Sequence, residues 1–253
     1  CGDDSGVQKV LPHVSRRIVT YGLNEDVDVR AVNVEQNNFQ TNFTVQREGF
    51  SELNVQLNMP GLHNVRNSLA AIIIAQEIGA DDESIVKALY SFDGIGRRFE
   101  QLGVAPFKAG QVTIVDDYAH HPVELAATLE AAKQVWPNKR IVTVFQPHRF
   151  SRTQDLMDDF TQVLAEVDQL LLTEVYPAGE KEIPSANSHA LARAIRVLGK
   201  VEPILISDLD QVANSINDIA QDDDVILLMG AGSIGTVSKN LVKNLTDLQI
   251  EEQ

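Results

Sequence analysis

The sequence has almost no cysteine and no long apolar run, and each absence excludes a class of protein. Cys1 is the only cysteine among the 253 residues, so no disulfide can form within the chain and a reducing compartment is indicated. The first twenty residues contain no apolar core of the kind that a signal peptide carries. No stretch approaches the roughly 18 apolar residues that a membrane span requires. We therefore expect a soluble, cytoplasmic protein without membrane insertion.

Positive charge is scarce as well. The chain has 21 lysines and arginines against 36 aspartates and glutamates, which gives a formal net charge of −15. A nucleic-acid partner would require a basic face that neutralises phosphates, so the composition argues against nucleic acid as a partner. Because the chain is so acidic, a local group of arginines carries more information here than in an average protein.

Residues 1–95 are predicted to form the first of two domains. Short β-rich runs separated by turns predict strands that pair antiparallel. Helices are predicted over residues 63–78 and from about residue 82 to 92, and the two glycines near residue 95 mark the domain boundary. The predicted strands are residues 17–21, 27–34, 39–47 and 52–57.

Residues 96–253 are predicted to form an α/β domain with a doubly wound, mainly parallel sheet of the Rossmann type. Short apolar runs alternate about five times with helical stretches, which indicates a parallel sheet covered on both faces. The predicted strands are residues 112–115, 141–145, 170–172, 203–206 and 225–229. The predicted helices are residues 122–135, 151–167, 188–198, 209–220 and 233–245.

Polar and ionisable residues follow the first two of these strands. The first strand leads into DDYAHHP at residues 116–122, and the second leads into QPHRFSR at residues 146–152. In an open α/β sheet, ligands bind outside the carboxyl ends of the strands. We therefore expect the functional site at this edge of the sheet.

Arg149 and Arg152 form a candidate anion-binding pair in the second of these runs. Their spacing at a predicted helix start allows both side chains to lie on one face. A guanidinium pairs with a carboxylate through two parallel hydrogen bonds, so the pair predicts a site for a free amino acid or another small anion. The alternative interpretation is that both arginines form surface ion pairs with nearby aspartates, namely Asp155, Asp158 or Asp159.

The run DDYAHHP combines two carboxylates, a phenol and two imidazoles. A zinc or manganese site is one interpretation, because His and Asp are suitable ligands. However, adjacent loop residues cannot all face one ion and no HxxxH spacing is present, so we predict no metal site. The predicted functional members are Asp117, Tyr118 and His120, whereas His121 and Pro122 are typical of a helix start.

Two further patterns have both a functional and a structural interpretation. GAGSIG at residues 230–235 matches the GxGxxG pattern of dinucleotide sites, but no strand follows the predicted helix, so we interpret it as a tight strand-to-helix turn. Asn64 and Asn67 lie three residues apart at a helix start, beside His63. Asparagine amides pair with the edge of adenine, whereas helix capping explains either asparagine alone.

Six segments, in this order, resemble the Mur ligases: GLHNVRN, GIGRRFE, VDDYAHHP, FQPHRFSRT, EVYPAGE and GAGSIG. The resemblance extends from about residue 3 to residue 245. FQPHRFSRT and EVYPAGE are similar to the members that join L-alanine to UDP-N-acetylmuramate. Murein tripeptide ligases of the same family share a DDxAHHP-type loop but differ after the second strand.

The resemblance implies ATP- and Mg²⁺-dependent amide-bond formation in cytoplasmic peptidoglycan synthesis, with ATP, L-alanine and UDP-N-acetylmuramate as substrates. It implies that ATP is contacted by His63, Asn64, Asn67, Arg98 and Asp117. It implies that the incoming amino acid is received by Tyr118, His120, Arg149 and Arg152, with His120 as the catalytic residue.

Parts of the family pattern have no match in this sequence. The phosphate-binding loop that ends in GKT or GKS, the magnesium ligands and the UDP-binding domain are not found. The chain also begins with Cys1 in a run typical of a domain interior. We therefore expect a carboxy-terminal portion that is inactive alone. The open alternatives are a murein tripeptide ligase, a non-catalytic nucleotide-binding module, a nicotinamide oxidoreductase and a metallohydrolase.

Overall fold

The computed structural model describes residues 1–251, with side chains described as far as Lys243. The chain forms two compact units, Cys1–Gly94 and Ile95–Gln253, which divide within the glycine-containing segment that the sequence marks as a boundary. Glu252 and Gln253, with which the predicted second domain ends, lie outside the described residues. Within the described part of the chain, no helix combines the length and apolar character that crossing a bilayer requires.

The first unit is a four-stranded sheet with helices packed on it. Its strands are β1 (Tyr21–Gly22), β2 (Val29–Asn37), β3 (Gln40–Arg47) and β4 (Leu53–Leu57), in the spatial order β1-β2-β3-β4. Its helices are α1 (Ser5–Val10), α2 (Leu62–Glu77) and α3 (Asp82–Tyr90), with a 3-10 turn at Leu11–His13. Alternate residues of β3 face the core, where Phe43 and Val45 pack with Leu69 and Ile72 of α2.

The pairing of β1 corrects the prediction for this unit. All neighbouring strands were expected to be antiparallel, but β1 pairs with β2 in parallel, with Tyr21 opposite Val29. Asp28 Oδ2 accepts hydrogen bonds from the backbone N–H (2.7 Å) and the hydroxyl (2.8 Å) of Thr20. These bonds join the residues that immediately precede β1 and β2, so the two strands begin side by side and run in the same direction. The antiparallel prediction is confirmed for β2–β3 and β3–β4.

The second unit confirms the predicted α/β class with a mainly parallel sheet. The strand order is β5-β6-β10-β7-β8-β9, and only β5 runs antiparallel to its neighbour. The strands are β5 (Glu100–Phe107), β6 (Gly110–Asp117), β7 (Ile141–Phe145), β8 (Gln169–Thr173), β9 (Ile204–Ile206) and β10 (Val225–Met229). The helices are α4 (Pro122–Val135), α5 (Phe150–Asp155), α6 (Met157–Leu164), α7 (Ser188–Leu198), α8 (Val212–Ile219) and α9 (Ile234–Glu251), with 3-10 turns at Pro184–Ala186 and Leu209–Gln211.

The position of β10 determines which loops meet at the sheet edge. β10 lies between β6 and β7, and Met229 is opposite Asp117 on one side and Phe145 on the other. All five residues of β10 are buried. The ends of β6, β10 and β7 are therefore adjacent, so the three chain segments that follow them converge.

The helix predicted over residues 151–167 is wrong as a single element. The backbone of Leu156 (φ −119°, ψ 24°) separates α5 from α6. The two pieces pack on different neighbours, since α5 contacts the turn Pro184–Ala186 while α6 contacts α4 and α7. Tertiary packing thus breaks a segment whose local sequence favours one continuous helix.

Candidate functional site

Asp117, the last residue of β6, is fixed by hydrogen bonds within its own unit. Its Oδ2 accepts from the backbone N–H of Phe99 at 2.7 Å, and its Oδ1 accepts from that of Ala119 at 2.6 Å. The side chain is buried, and this burial raises its pKa to about 6 although both hydrogen bonds and the charge of Arg98 act in the opposite direction. Asp117 shapes the loop that follows β6; its contact with a nucleotide stays a prediction.

Tyr118 and His120 lie side by side in that loop. Their rings meet edge to face with centroids 5.3 Å apart. His120 Nδ1 is 2.9 Å from the backbone carbonyl oxygen of Tyr118 and 3.4 Å from Glu124 Oε2. Both neighbours of Nδ1 are acceptors, so Nδ1 carries the proton and, in the neutral ring, Nε2 offers a lone pair. His120 can thus accept a proton through Nε2.

Glu124 stabilises the backbone on which His120 is placed. Its Oε2 accepts from the backbone N–H of His120 at 2.9 Å and from that of His121 at 3.1 Å. Burial acts to raise the Glu124 pKa, but these two donors and the charges of His120 and Arg98 outweigh it, so the pKa lies below its usual value. His121 caps α4 in a reciprocal capping box with Glu124, as expected of a helix start.

His148 and Arg152 follow β7 and lie next to His120. The centroids of the His120 and His148 rings are 6.0 Å apart. Arg152 Nη1 donates to the backbone carbonyl of His148 at 3.2 Å and lies 3.4 Å from His148 Nδ1. Burial, followed by the charges of Arg152, His120 and Arg149, lowers the pKa of His148. His148 is therefore favoured in its neutral form.

The two arginines of this segment are not held by the aspartates that follow them. Arg149, with half of its side chain exposed, lies 3.9 Å from Glu180. Among the residues with described side chains, Arg152 forms no ion pair. The alternative of surface ion pairs with Asp155, Asp158 or Asp159 is therefore wrong.

Tyr176 and Glu180, which follow β8, belong to this edge although no role was predicted for them from the sequence. The Tyr176 ring stacks on His148 with centroids 5.3 Å apart and 14° between the planes. The Tyr176 carbonyl accepts the backbone N–H of Arg149 at 2.9 Å, and Glu180 accepts from the hydroxyl (2.7 Å) and N–H (3.0 Å) of Ser151. The segment EVYPAGE, at a strand end, was the available signal.

The glycines of residues 230–235 allow close packing of protein against protein. A Cβ on Gly230 would lie 2.8 Å from the carbonyl oxygen of Gln146, and one on Gly232 would lie 2.7 Å from Cγ of Tyr176. The buried Gln146 accepts the N–H of Ile234 through Oε1 at 3.0 Å. These contacts support the interpretation of a tight strand-to-helix turn rather than a dinucleotide site.

Arg97 and Arg98 both lie against Tyr118, and of the two only Arg98 was predicted from the sequence. Their guanidinium carbons lie 5.1 Å and 5.5 Å, respectively, from the centroid of the Tyr118 ring. Arg98 is exposed, whereas Arg97 donates to Asp116 Oδ2 (3.0 Å) and to the Gly230 carbonyl (2.5 Å). The contact of Arg98 with ATP stays a prediction, and Arg97 bridges two strand ends.

In the first unit, the predicted adenine-contacting residues lie at the start of α2. Asn64 is buried, and its Nδ2 donates to the carbonyl of Pro60 at 2.8 Å. Asn67 is exposed, and its Nδ2 lies 3.5 Å from Asn64 Oδ1. His63 is half-buried on the same turn. Gly61 caps the helix, so neither asparagine serves as its N-cap.

At the edge of the second unit, the structure brings together the residues predicted to bind the amino acid, namely Tyr118, His120, Arg149 and Arg152. Two guanidinium groups lie there near an imidazole that can accept a proton. This arrangement suits a small zwitterion, because it offers positive charge to a carboxylate and a base to an ammonium group. Among the described residues, no three or more His, Cys, Asp and Glu side chains are grouped in a way that could hold a metal ion.

Comparisons with known proteins agree with this geometry. Residues 97–232 match the family model described as the glutamate ligase domain of Mur ligases, and residues 2–75 match the Mur ligase middle domain. The chain is 54% identical over 242 residues to a UDP-N-acetylmuramate–L-alanine ligase of Thiobacillus denitrificans, covering 95% of this chain and 52% of the relative. It is 50% identical over 246 residues to the ligase of that name from Burkholderia cenocepacia, covering 97% and 53%.

Solved structures give the same picture. The UDP-N-acetylmuramate–alanine ligase of Thermotoga maritima superposes with a TM-score of 0.73 at 29% identity, covering 91% of this chain and 48% of that one. A murein peptide ligase of Psychrobacter arcticus gives 0.68 at 26% identity, covering 95% and 49%. The chain spans about half the length of the curated relatives it matches.

Proposed function

Because the chain belongs to the Mur ligase family, we propose that it carries the amino-acid-binding domain and part of the ATP-binding domain of a UDP-N-acetylmuramate–L-alanine ligase. The proposed reaction has two stages. ATP first phosphorylates the carboxylate of UDP-N-acetylmuramate to give an acyl phosphate. The amine of L-alanine then attacks the acyl carbon, the amide forms and phosphate leaves.

The observation that carries the proposal is the convergence of Arg149, Arg152 and His120 at one edge of the sheet. The two guanidinium groups would hold the alanine carboxylate, since Arg152 has no ion-pair partner among the described residues and Arg149 has only a distant one at 3.9 Å. His120 Nε2 would accept the proton that the alanine ammonium must lose before its nitrogen can attack. Holding the amine close to the acyl carbon would supply much of the rate.

The aromatic residues beside the cluster favour a substrate with a small side chain. Tyr118 lies edge to face with His120, and Tyr176 stacks on His148, so two aromatic rings flank the imidazoles. A side chain of one methyl group makes apolar contact with such rings. The preference for alanine over other small amino acids is part of what we propose.

The nucleotide would be held by the other predicted residues. Asn67 is the exposed member of its pair, so adenine contacts would come from Asn67 and His63, with the buried Asn64 orienting Asn67 through Oδ1. In the second unit, Arg98 and Asp117 are likewise proposed to contact ATP, as the family resemblance implies. Magnesium would neutralise the phosphates when bound. The described residues hold no cluster that fits it, so no residue of this chain is assigned to the ion.

An assay on the full-length protein encoded by the gene tests the proposal. Phosphate release is measured with ATP, Mg²⁺ and UDP-N-acetylmuramate, and with L-alanine, glycine, L-serine or a murein tripeptide as the acceptor. We expect release to depend on L-alanine, and reactions without an acceptor give the background. Release with the tripeptide alone would instead make the protein a murein peptide ligase, the activity named for the Psychrobacter relative.

A further inference from the structure

Arg97 connects the ends of two neighbouring strands at the site. Its Nε donates to Oδ2 of the fully buried Asp116 on β6 at 3.0 Å, and its Nη2 donates to the carbonyl oxygen of Gly230 after β10 at 2.5 Å. The Arg97 side chain is itself only 20% exposed. A lysine could not reproduce this connection, because its single ammonium lacks the planar, fork-shaped set of donors.

The backbone of Arg97, like its side chain, contacts Tyr118 in the loop after β6. Its carbonyl oxygen accepts the N–H of Tyr118 at 2.7 Å, and its own N–H donates to Glu100 Oε2 at 2.7 Å. Arg97 adopts a φ of 62°, which is costly for a residue with a side chain and persists where surrounding contacts enforce it. Backbone and side chain thus hold Tyr118 from two directions.

Gly235 provides the space for the Arg97 guanidinium. A Cβ at Gly235 would collide with Cζ and Nε of Arg97, and it would lie 2.7 Å from Nη2. The third glycine of the GAGSIG run therefore accommodates an arginine of the same unit. Any larger residue at Gly235 would displace that arginine from Asp116 and Gly230.

We propose that Arg97 is a positioning residue that holds Tyr118 so that its carbonyl keeps the proton of His120 on Nδ1, leaving Nε2 as the proton acceptor. The carbonyl of Tyr118 lies 2.9 Å from His120 Nδ1, and the Tyr118 ring contacts both the Arg97 guanidinium and the His120 imidazole. The catalytic part of this inference rests on the proposed function, whereas the tautomer can be observed without any reaction.

Arg140 provides a matched control. Its Nε donates to Asp224 at 3.0 Å and its Nη2 donates to the Ile219 carbonyl at 2.7 Å, so it makes the same two types of bond as Arg97. Burial also matches, since the Arg140 side chain is 27% exposed and that of Asp224 is 3% exposed. Arg140 precedes β7, at the opposite edge of the sheet, so its replacement reproduces the loss of contacts without approaching His120.

The test is nitrogen-15 NMR of the histidine-labelled full-length protein, which distinguishes the two neutral tautomers. We expect His120 to show the Nδ1–H form in the unchanged chain and in Arg140→Lys, and a mixture with the Nε2–H form in Arg97→Lys. Gly235→Ala, which displaces the guanidinium without removing it, should give the same mixture if Arg97→Lys does not fold. A pure Nδ1–H signal in both variants, or an equal change in Arg140→Lys, would overturn the proposal.

Kinetics of the full-length protein separate positioning from binding. Arg97→Lys should lower kcat by about 10²-fold, the effect of a displacement near 1 Å in a catalytic group, with little change in the KM for L-alanine because Arg149 and Arg152 are retained. A raised KM with unchanged kcat would contradict the positioning role. If the unchanged protein shows no ligase activity, the proposed function fails, and the histidine spectra still decide the role of Arg97.

Discussion

Replacement of Arg152 by alanine tests whether this edge binds the carboxylate of the incoming amino acid. Arg152 donates to the His148 carbonyl and makes no ion pair among the described residues. Its removal therefore leaves no protein carboxylate without a partner, so a change in substrate affinity is not mixed with the cost of an orphaned buried charge. Arg149→Ala would be less clean, because Arg149 also lies near Glu180.

The expected magnitude follows from the hydrogen bonds that the guanidinium would make. A hydrogen bond to a charged group contributes about 1.5–3 kcal/mol, which corresponds to roughly a 10- to 150-fold change at about 1.4 kcal/mol per decade. Arg152 is half-buried, so water screens part of this interaction and we expect the lower end, about tenfold. The KM for L-alanine should rise by this factor, with the KM for ATP almost unchanged.

The assay is steady-state phosphate release by the full-length protein, with L-alanine and ATP varied separately. Arg196→Ala serves as the control, because this arginine pairs with Glu202 at the end of α7 and has no contact with the proposed site. Equal increases in both KM values, or an unchanged KM for L-alanine, would refute the carboxylate clamp.

Two further predictions concern residues that shape the site. Asp117 has a folded pKa raised to about 6 from 3.8, so the folded state binds the proton more strongly than the unfolded state and this contribution to stability is lost as the pH rises from about 4 to 6. In urea unfolding, the free energy of unfolding should fall between about pH 4 and pH 6 by up to about 3 kcal/mol less in Asp117→Asn than in the unchanged protein. Equal pH slopes for both proteins would contradict this prediction. Gly232→Ala should cost about 1–3 kcal/mol of unfolding free energy, because the new methyl group would meet Gln146 and Tyr176. Gly96→Ala is its control, since that Cβ meets only Glu100, at 3.5 Å, and equal stability of both variants would refute the packing argument.

The parallel strands and the family were predictable because their signals are local. The strands β6 to β10 are short apolar runs, and the residues after each of them stand next to it in the sequence. Parallel strands end at one edge, so the sequence alone placed Tyr118, His120, Arg149 and Arg152 together. The comparisons confirm the family resemblance, which rested on the same segments.

The hairpin formed by β5 and β6, with β5 at the edge of the sheet, was not predictable in the same way. β5 contains Gly103 and Pro106, and only one of its eight residues is buried, so it shows neither an apolar run nor a regular alternation. It is a strand because it pairs with β6, which is a tertiary effect. Arg97 was missed for the same reason, since its side chain contacts Asp116 and Gly230, and the latter lies 133 residues away.

The net charge of −15 and a site for anions are compatible because electrostatic interactions in salt solution are local. At physiological ionic strength, charges separated by more than about 8 Å are largely screened, so distant carboxylates contribute little to the potential at the sheet edge. Of the arginines that converge there, Arg97 is neutralised by Asp116, whereas Arg152 has no carboxylate partner among the described residues and that of Arg149 is 3.9 Å away. Arg98 also lies at this edge, but it is near the carboxylates of Asp117 and Glu124. The positive charge after β7 is therefore the charge available to a bound carboxylate, which is why Arg152 is the residue to replace.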